Sequence, residues 1–326
     1  MILKTVVIGC GWAGIKFINA ILRNENATLA ALVDIDEELV KGLATVYNVP
    51  YFTTITDLFE SGIPFDTAGV CTLPDTHFEL CKRLLQKGVN VFCEKPLCRS
   101  SHEAEQLYII ARNNNVKLSV GFNQRYGKAV QRAMECISNG ETIHLITAAM
   151  YQHGYNYRQS SEYHILTDSC CHLFDTIYMI CGRAKSVCMA AAKISSTVLT
   201  DVSVLLEFEN GAIGTVSHTY EGGTIDTQHP FQRIEIHTDR ARYVIENLYD
   251  YLKVYPHSKA DVQVWQPSVF ERRDYEDSMT SSVDHFIKSI SIDKGDNGHT
   301  QDTVHILRII EAAIRSAESR AFERVE

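Results

Sequence analysis

The 326-residue chain has no C-x-x-C pair among its ten cysteines, so neither a zinc ribbon nor a thioredoxin-like site is signalled. Cysteines such as Cys71 in "AGVCTL" stand alone in apolar stretches, a usage that suits a reducing cytoplasm. No apolar run reaches the roughly eighteen residues that a spanning helix needs, so no membrane segment is expected. The opening "MILKTVVIGCGWAG" starts like a secretory signal, but its apolar run leads into glycines with no small-x-small cleavage site. Net charge is −9, and no block of five or more like charges occurs. Without a concentrated basic surface, nucleic acid is excluded as the main partner. Internal repeats and low-complexity linkers are missing as well.

What remains is an ordinary globular balance, 45% hydrophobic and 22% charged, in a chain long enough for two domains. Strand-like and helical patterns alternate through the first third: "KTVVIGC" (4–10), a helix from Ala13 to Leu22, "TLAALVDI" (28–35), then a second helix. "PFDTAGVCTL" (64–73), "VNVFCE" (89–94) and "VKLSVGF" (116–122) continue the series. Such alternation implies parallel pairing, so residues 1–121 are expected to form an α/β Rossmann domain with a doubly wound parallel sheet. Beyond Gly121, strand-like runs crowd together at 144–151, 203–210, 212–220, 232–238 and 241–247, with helices expected near 168–181 and 302–322. Residues 122–326 therefore read as an α+β domain with a large, mostly antiparallel open sheet.

Gly9-Cys10-Gly11-Trp12-Ala13-Gly14 is a G-x-G-x-x-G lying between a strand and a helix, the context that gives this motif meaning. The first glycine permits a tight turn and the second lets the backbone approach a pyrophosphate. The third allows close helix–strand packing, while the helix N-terminus faces the negative charge. Asp34 lies twenty residues beyond Gly14, where a carboxylate accepts hydrogen bonds from a ribose and repels a 2′-phosphate. Ile35, Asp36, Glu37 and Glu38 follow it with no arginine, which favours NAD over NADP. The plain alternative is that Asp34 or Asp36 merely caps the next helix.

With "TLPDTH" (72–77), "CEKPL" (93–97), "GFNQRY" (121–126) and "DSCCHLFD" (168–175) following in order, the chain resembles the glucose–fructose oxidoreductase and inositol dehydrogenase family over essentially its whole length. The glycine motif is common to many folds; Glu-Lys-Pro followed by Asp-x-x-x-His-x-x-Asp is far more specific. The resemblance implies an NAD(P)-dependent sugar or polyol dehydrogenase. It places Thr72, Leu73, His77 and Glu94 at the cofactor, and Lys95 where cofactor and substrate meet. A homodimer or homotetramer formed through the open sheet is implied in the same way.

Physical chemistry supports a role for Lys95 independently. Pro96 restricts it towards extended conformations, and the carboxyl end of a parallel strand is where such sheets bind ligands. An ammonium there can stabilise developing alkoxide charge, with Glu94 available to hold it. A lysine simply paired with Glu94 at a strand end is the competing reading. His172 is the expected general acid/base. Asp168, His172 and Asp175 are spaced i, i+4 and i+7, so a regular helix would put them on one face. The resemblance makes Asp168 the nearer partner, touching substrate or His172, with Asp175 alternatively a structural bond; the plain alternative is that Asp168 caps the helix. A metal site of His164, Asp168 and His172 is the less favoured use of the same ligands.

Tyr163-His164 and Cys170 stand where many family members carry glycines, which reshapes the expected pocket. The segment "YQHGYNYRQSSEYH" (151–164) offers His153, Tyr155 and Arg158 to a polyhydroxylated ligand, and Arg125 is a further candidate. A solvated loop of the same composition is the alternative. The favoured function is oxidation of a secondary alcohol on a sugar, cyclitol or derivative, or the reverse reduction. An NAD-retaining glycosidase and a non-catalytic NAD-binding sensor are the alternatives.

Overall fold

The structure is a computed structural model that describes residues 2–137, 140–151, 164–194, 197–221, 231–248, 251–258, 260–266, 274–291 and 300–326. The chain divides into two units, one of Met1–Asn123 with Tyr275–Val304, the other of Gln124–Asp274 with His305–Glu326.

The first unit holds six parallel strands: β1 (Leu3–Ile8), β2 (Ala27–Val33), β3 (Tyr51–Phe52), β4 (Thr67–Val70), β5 (Asn90–Cys93) and β6 (Leu118–Val120). Their order, β3-β2-β1-β4-β5-β6, reverses direction between β1 and β4, and the carboxyl ends at that reversal form the crevice where such sheets take ligands. The strands are near-continuous apolar runs (Val6, Val7, Ile8; Ala31, Leu32, Val33) because helices cover both faces.

Those helices are α1 (Trp12–Arg23), α2 (Glu37–Tyr47), α3 (Ile55–Glu60), α4 (Pro74–Gln86) and α5 (Ser101–Asn113). Asp36, Thr54 and Ser100 cap α2, α3 and α5 by accepting a first-turn N–H. Helix α1 differs, because Gly11 at its N-cap supplies no side-chain acceptor and its first turn carries no acidic residue.

One helix of this unit comes from far along the chain. Val283, Phe286 and Ile287 of α8 (Asp274–Ser291) join Phe17, Ile18, Ile21 and Phe92 in one buried core cluster. Phe286 meets Phe92 edge-on, with centroids 5.8 Å apart. A single cut after residue 121 therefore misses a segment that returns to the first unit, since an apolar stripe shows that a helix is covered but not by which sheet.

Among the described residues the second unit contains α6 (Lys128–Cys136), α7 (Cys171–Cys181), most of α9 (Thr300–Ser319) and nine strands. The strands are β7 (Ile143–Tyr151), β8 (Ala184–Ala192), β9 (Asp201–Phe208), β10 (Ile213–Thr219), β11 (Phe231–Thr238), β12 (Ala241–Glu246), β13 (Tyr251–Pro256), β14 (Gln263–Trp265) and β15 (Glu323–Arg324). In the order β14-β13-β12-β11-β7-β10-β9-β8-β15, every pair is antiparallel except β7 with β10. Val202, Val204, Leu206 and Phe208 alternate inward along β9, and Gly214, Val216 and His218 along β10, as expected of a sheet with one covered face.

Candidate active site

In the first unit the glycine turn is shaped by steric necessity. Gly9 has φ +88°, and a Cβ there would stand 2.6 Å from the Cys71 carbonyl. A Cβ on Gly14 would lie 2.0 Å from the Gly9 carbonyl oxygen, so α1 approaches the turn closely only without one. A Cβ on Gly11 would meet nothing within 4 Å. The turn thus opens onto space beside an uncapped helix N-terminus, the geometry that receives a phosphate.

Asp34 is built into this turn. Its Oδ2 accepts the Cys10 N–H at 2.6 Å and its Oδ1 accepts the Asp36 N–H at 3.0 Å. The cap of α2 is Asp36, whose carboxylate accepts from Leu39 at 3.0 Å. A carboxylate offers about four acceptor positions. Two remain on Asp34 for a ribose diol. Trp12, Ile35 and Leu73 are 64%, 92% and 77% exposed, a set of uncovered apolar side chains just past β1, β2 and β4. The turn, the carboxylate and these apolar groups fit a dinucleotide.

Past β5 come Glu94 and the partly buried Lys95, whose peptide to Pro96 is cis. His77 braces this end of the sheet, with Nδ1 2.8 Å from the Pro96 carbonyl oxygen and Nε2 3.0 Å from that of Thr72. Both neighbours only accept, so a neutral ring donates to one of them. Burial, opposed by these two contacts, lowers its pKa and favours the neutral ring. Fully buried, His77 braces the Thr72 and Pro96 loops. The N-cap of α4 is Leu73.

In the second unit, Asp168 does not sit on a regular α-helix. Residues Ile165–Cys170 form a π-helical turn that runs directly into α7. This turn is wider than the α-helical one assumed for Asp168, His172 and Asp175. Such turns recur at functional sites. His172, on α7, is buried with 8% exposure, and Asp168 is partly exposed. Asp175 is committed elsewhere: its Oδ2 accepts from Arg125 Nε at 2.9 Å and its Oδ1 from the other arm of the guanidinium. These side chains are 0% and 4% exposed. Arg125, expected at the substrate, is therefore a buried support for α7, since a desolvated bidentate pair leaves the guanidinium no exposed face.

Beneath the π turn lie residues that the motifs did not single out. The Tyr220 hydroxyl is 3.2 Å from both His164 Nδ1 and Ser169 Oγ. His218, at the end of β10, packs edge-on to the Tyr220 ring at 4.9 Å. Neither ring nitrogen of His218 has a hydrogen-bond partner among the described residues. Burial pushes its pKa down to about 3, against the opposing charges of Asp168 and Asp201. Only the alternation along β10 marked His218 in the sequence as inward-facing. His164 Nε2 stands 4.0 Å from Asp168 Oδ2, and no three potential metal ligands are grouped among the described residues. His153, Tyr155, Arg158 and Tyr163 lie outside the described residues.

Comparison with known proteins agrees with this architecture. Residues 3–122 match the oxidoreductase family model for the NAD-binding Rossmann fold, and residues 118–326 match the model for that family's C-terminal alpha/beta domain. Inositol 2-dehydrogenase of Rhizobium meliloti is 26% identical over 259 residues, 76% of each chain. An oxidoreductase from Agrobacterium radiobacter, solved with NAD+, L-tartaric acid and magnesium, superposes with a TM-score of 0.89 at 20% identity, covering 100% of this chain and 99% of that one. Levoglucosan dehydrogenase with NADH gives 0.86 at 17% identity, covering 100% of both. The glycine turn and the parallel sheet thus form an NAD-binding Rossmann domain, and the chain belongs to the GFO/IDH/MocA family of NAD(P)-dependent oxidoreductases.

Proposed function

We propose that the protein oxidises a secondary alcohol of a sugar, cyclitol or related polyol, or reduces the corresponding ketone, with NAD in preference to NADP. The observation that carries this reading is the convergence of Gly11, Asp34, Leu73 and Lys95 at the carboxyl ends of the neighbouring strands β1, β2, β4 and β5. Relatives named for inositol and levoglucosan act on polyhydroxylated rings, which supports the substrate class. Ten free cysteines and the absence of any helix long and apolar enough to span a membrane among the described residues accord with a place in the cytoplasm.

NAD, when bound, supplies the hydride acceptor. Gly9, Gly11 and the amino end of α1 would hold its pyrophosphate, and Asp34 would accept from its adenosine ribose hydroxyls and disfavour a 2′-phosphate. His172 takes the proton of the substrate hydroxyl at an imidazole nitrogen and returns it in the reverse direction. The Lys95 Nζ donates to the same oxygen as charge builds there. Asp168 orients either the substrate or His172.

The test is a screen of inositols, sugars, sugar alcohols and their phosphates with NAD supplied, followed by NADH absorbance. NAD-dependent turnover of a polyol is expected. No turnover of any polyol, or a clear preference for NADP, would overturn the reading.

A further inference from the structure

We propose that Tyr220 is a positioning residue for Asp168: its hydroxyl holds both ends of the π turn that carries this carboxylate and fixes the tautomer of His164 beside it. The inference deepens the reading above and rests on Asp168 serving the substrate or His172. Tyr220 follows directly on β10 and is 1% exposed. Its backbone N–H donates to the Thr200 carbonyl at 2.9 Å, and the His218 ring packs edge-on against its ring at 4.9 Å. The phenol is therefore placed by the sheet and not by the turn. From there its oxygen reaches His164 Nδ1 and Ser169 Oγ, each at 3.2 Å. His164 is the N-cap of the turn and Ser169 lies near its end. Asp168 stands between these two anchors in the chain, with Oδ2 4.0 Å from His164 Nε2.

The placement of hydrogens follows from the donors and acceptors in this set. A tyrosine hydroxyl has one hydrogen to give, and a neutral imidazole has one N–H and one bare nitrogen. A hydrogen on His164 Nδ1 would turn the Nε2 lone pair towards the Asp168 carboxylate, which is repulsive. With the hydrogen on Nε2, the positive end of the N–H dipole lies nearest the anion. Nδ1 then accepts from the Tyr220 hydroxyl, and the Ser169 hydroxyl donates to Tyr220 in turn. Without the phenol oxygen, Nδ1 loses this donor, and the preference for the Nε2 hydrogen weakens. The turn also loses the one atom that ties its start to its end.

The experiment uses the full chain labelled with 15N in its imidazole rings, with His164 assigned by its loss in His164→Asn. At about pH 9, where an imidazole is neutral, the two ring-nitrogen shifts should place the hydrogen on Nε2. Tyr220→Phe keeps the buried ring and should move the hydrogen partly to Nδ1. Ser169→Ala, which leaves the contact between Tyr220 and His164, should keep it on Nε2. A hydrogen on Nδ1 in the wild type, or a tautomer that ignores Tyr220→Phe, overturns the proposal. None of these spectra needs a substrate, so their failure is distinct from failure of the dehydrogenase reading. Once a substrate is found, Tyr220→Phe should lower its kcat/KM about tenfold, the scale of one lost hydrogen bond in a charged network. In an Asp168→Asn background the same substitution should add little, because the group it positions is already gone. No loss, or an equal loss in both backgrounds, would also overturn it.

Discussion

The two units hold their candidate functional residues by different means. In the first, backbone does most of the work: a glycine turn, an uncapped helix N-terminus and amides clamped by Asp34. In the second, side chains on separate elements answer one another, Arg125 with Asp175 and Tyr220 with His164 and Ser169. Among the buried titratable groups, Glu94 of the first unit and His218 of the second respond to pH in opposite directions. Glu94 is held up to about 7 and His218 down to about 3, both mainly by burial. Burial penalises the charged form whichever sign it carries, so the acid is raised and the base lowered.

The largest expected effects set the two units against each other in turnover. His172→Ala should lower kcat by about 10²–10⁴, the usual contribution of general acid–base catalysis. Lys95→Ala should cost about 100-fold, roughly 3 kcal/mol, as for one lost transition-state donor. Under the proposed mechanism the two serve the same chemical step, so the double variant should lose less than the product of the two. NAD affinity and Tm measured alongside must stay near wild type; a loss of folding in step with activity would return either residue to a structural role.

Next in size is the buried ion pair. Asp175→Ala removes the bidentate acceptor of the buried Arg125 guanidinium, which should lower stability by about 3–5 kcal/mol. Urea unfolding followed by a probe in each unit should show the loss in the second unit first. Equal loss at both probes would show that the units unfold as one.

The opposite pH responses provide a third comparison. For His218 the unfolded value is 6.5 and the folded value about 3, so the unfolded chain binds the proton first as pH falls. Its contribution is present above pH 6.5 and is lost towards pH 3, with an upper scale on the order of 5 kcal/mol. For Glu94 the contribution is present below 4.5 and lost as pH rises to about 7, on the order of 3 kcal/mol. His218→Phe should therefore flatten the acid side of a Tm–pH curve, and Glu94→Gln the limb between about 4.5 and 7. Unchanged limbs would mean that these groups are solvated in the folded protein.

The smallest effect concerns cofactor choice. Asp34→Ser removes the repulsion of a 2′-phosphate and should improve relative use of NADP by about tenfold, near 1.4 kcal/mol. Because the same carboxylate clamps the Cys10 amide, affinity for NAD should fall too. Asp34→Asn, which keeps an acceptor for that amide, separates the two contributions.

The site was legible in proportion to how local each part is. The glycine turn and the placement of Asp34 twenty residues later are set by one strand–turn–helix unit, and the structure shows Asp36, not Asp34, as the cap of α2. The single-face arrangement of Asp168, His172 and Asp175 assumed an α-helical rise that the π turn does not keep. Arg125 carried the pattern of a pocket residue, yet its guanidinium is taken by a carboxylate fifty residues away. His77 likewise is filled by two carbonyls brought together from the ends of β4 and β5.

By itself the sequence determined the parallel sheet, the dinucleotide turn, the mostly antiparallel second sheet and the placement of Lys95 just past β5. Apolar periodicity and glycine sterics act within a few residues and leave a readable trace. Only the tertiary structure decided that α8 returns to the first core, that Asp175 belongs to Arg125, and that His218 lies buried beneath Tyr220. It also decided that Gly121 makes room for Glu94. Each of these depends on which surfaces meet after the chain has travelled far, and many distant segments offer equally apolar or equally charged partners. Burial then sets the charge of a group such as Glu94, because desolvation is a property of the packed surroundings and not of the residue.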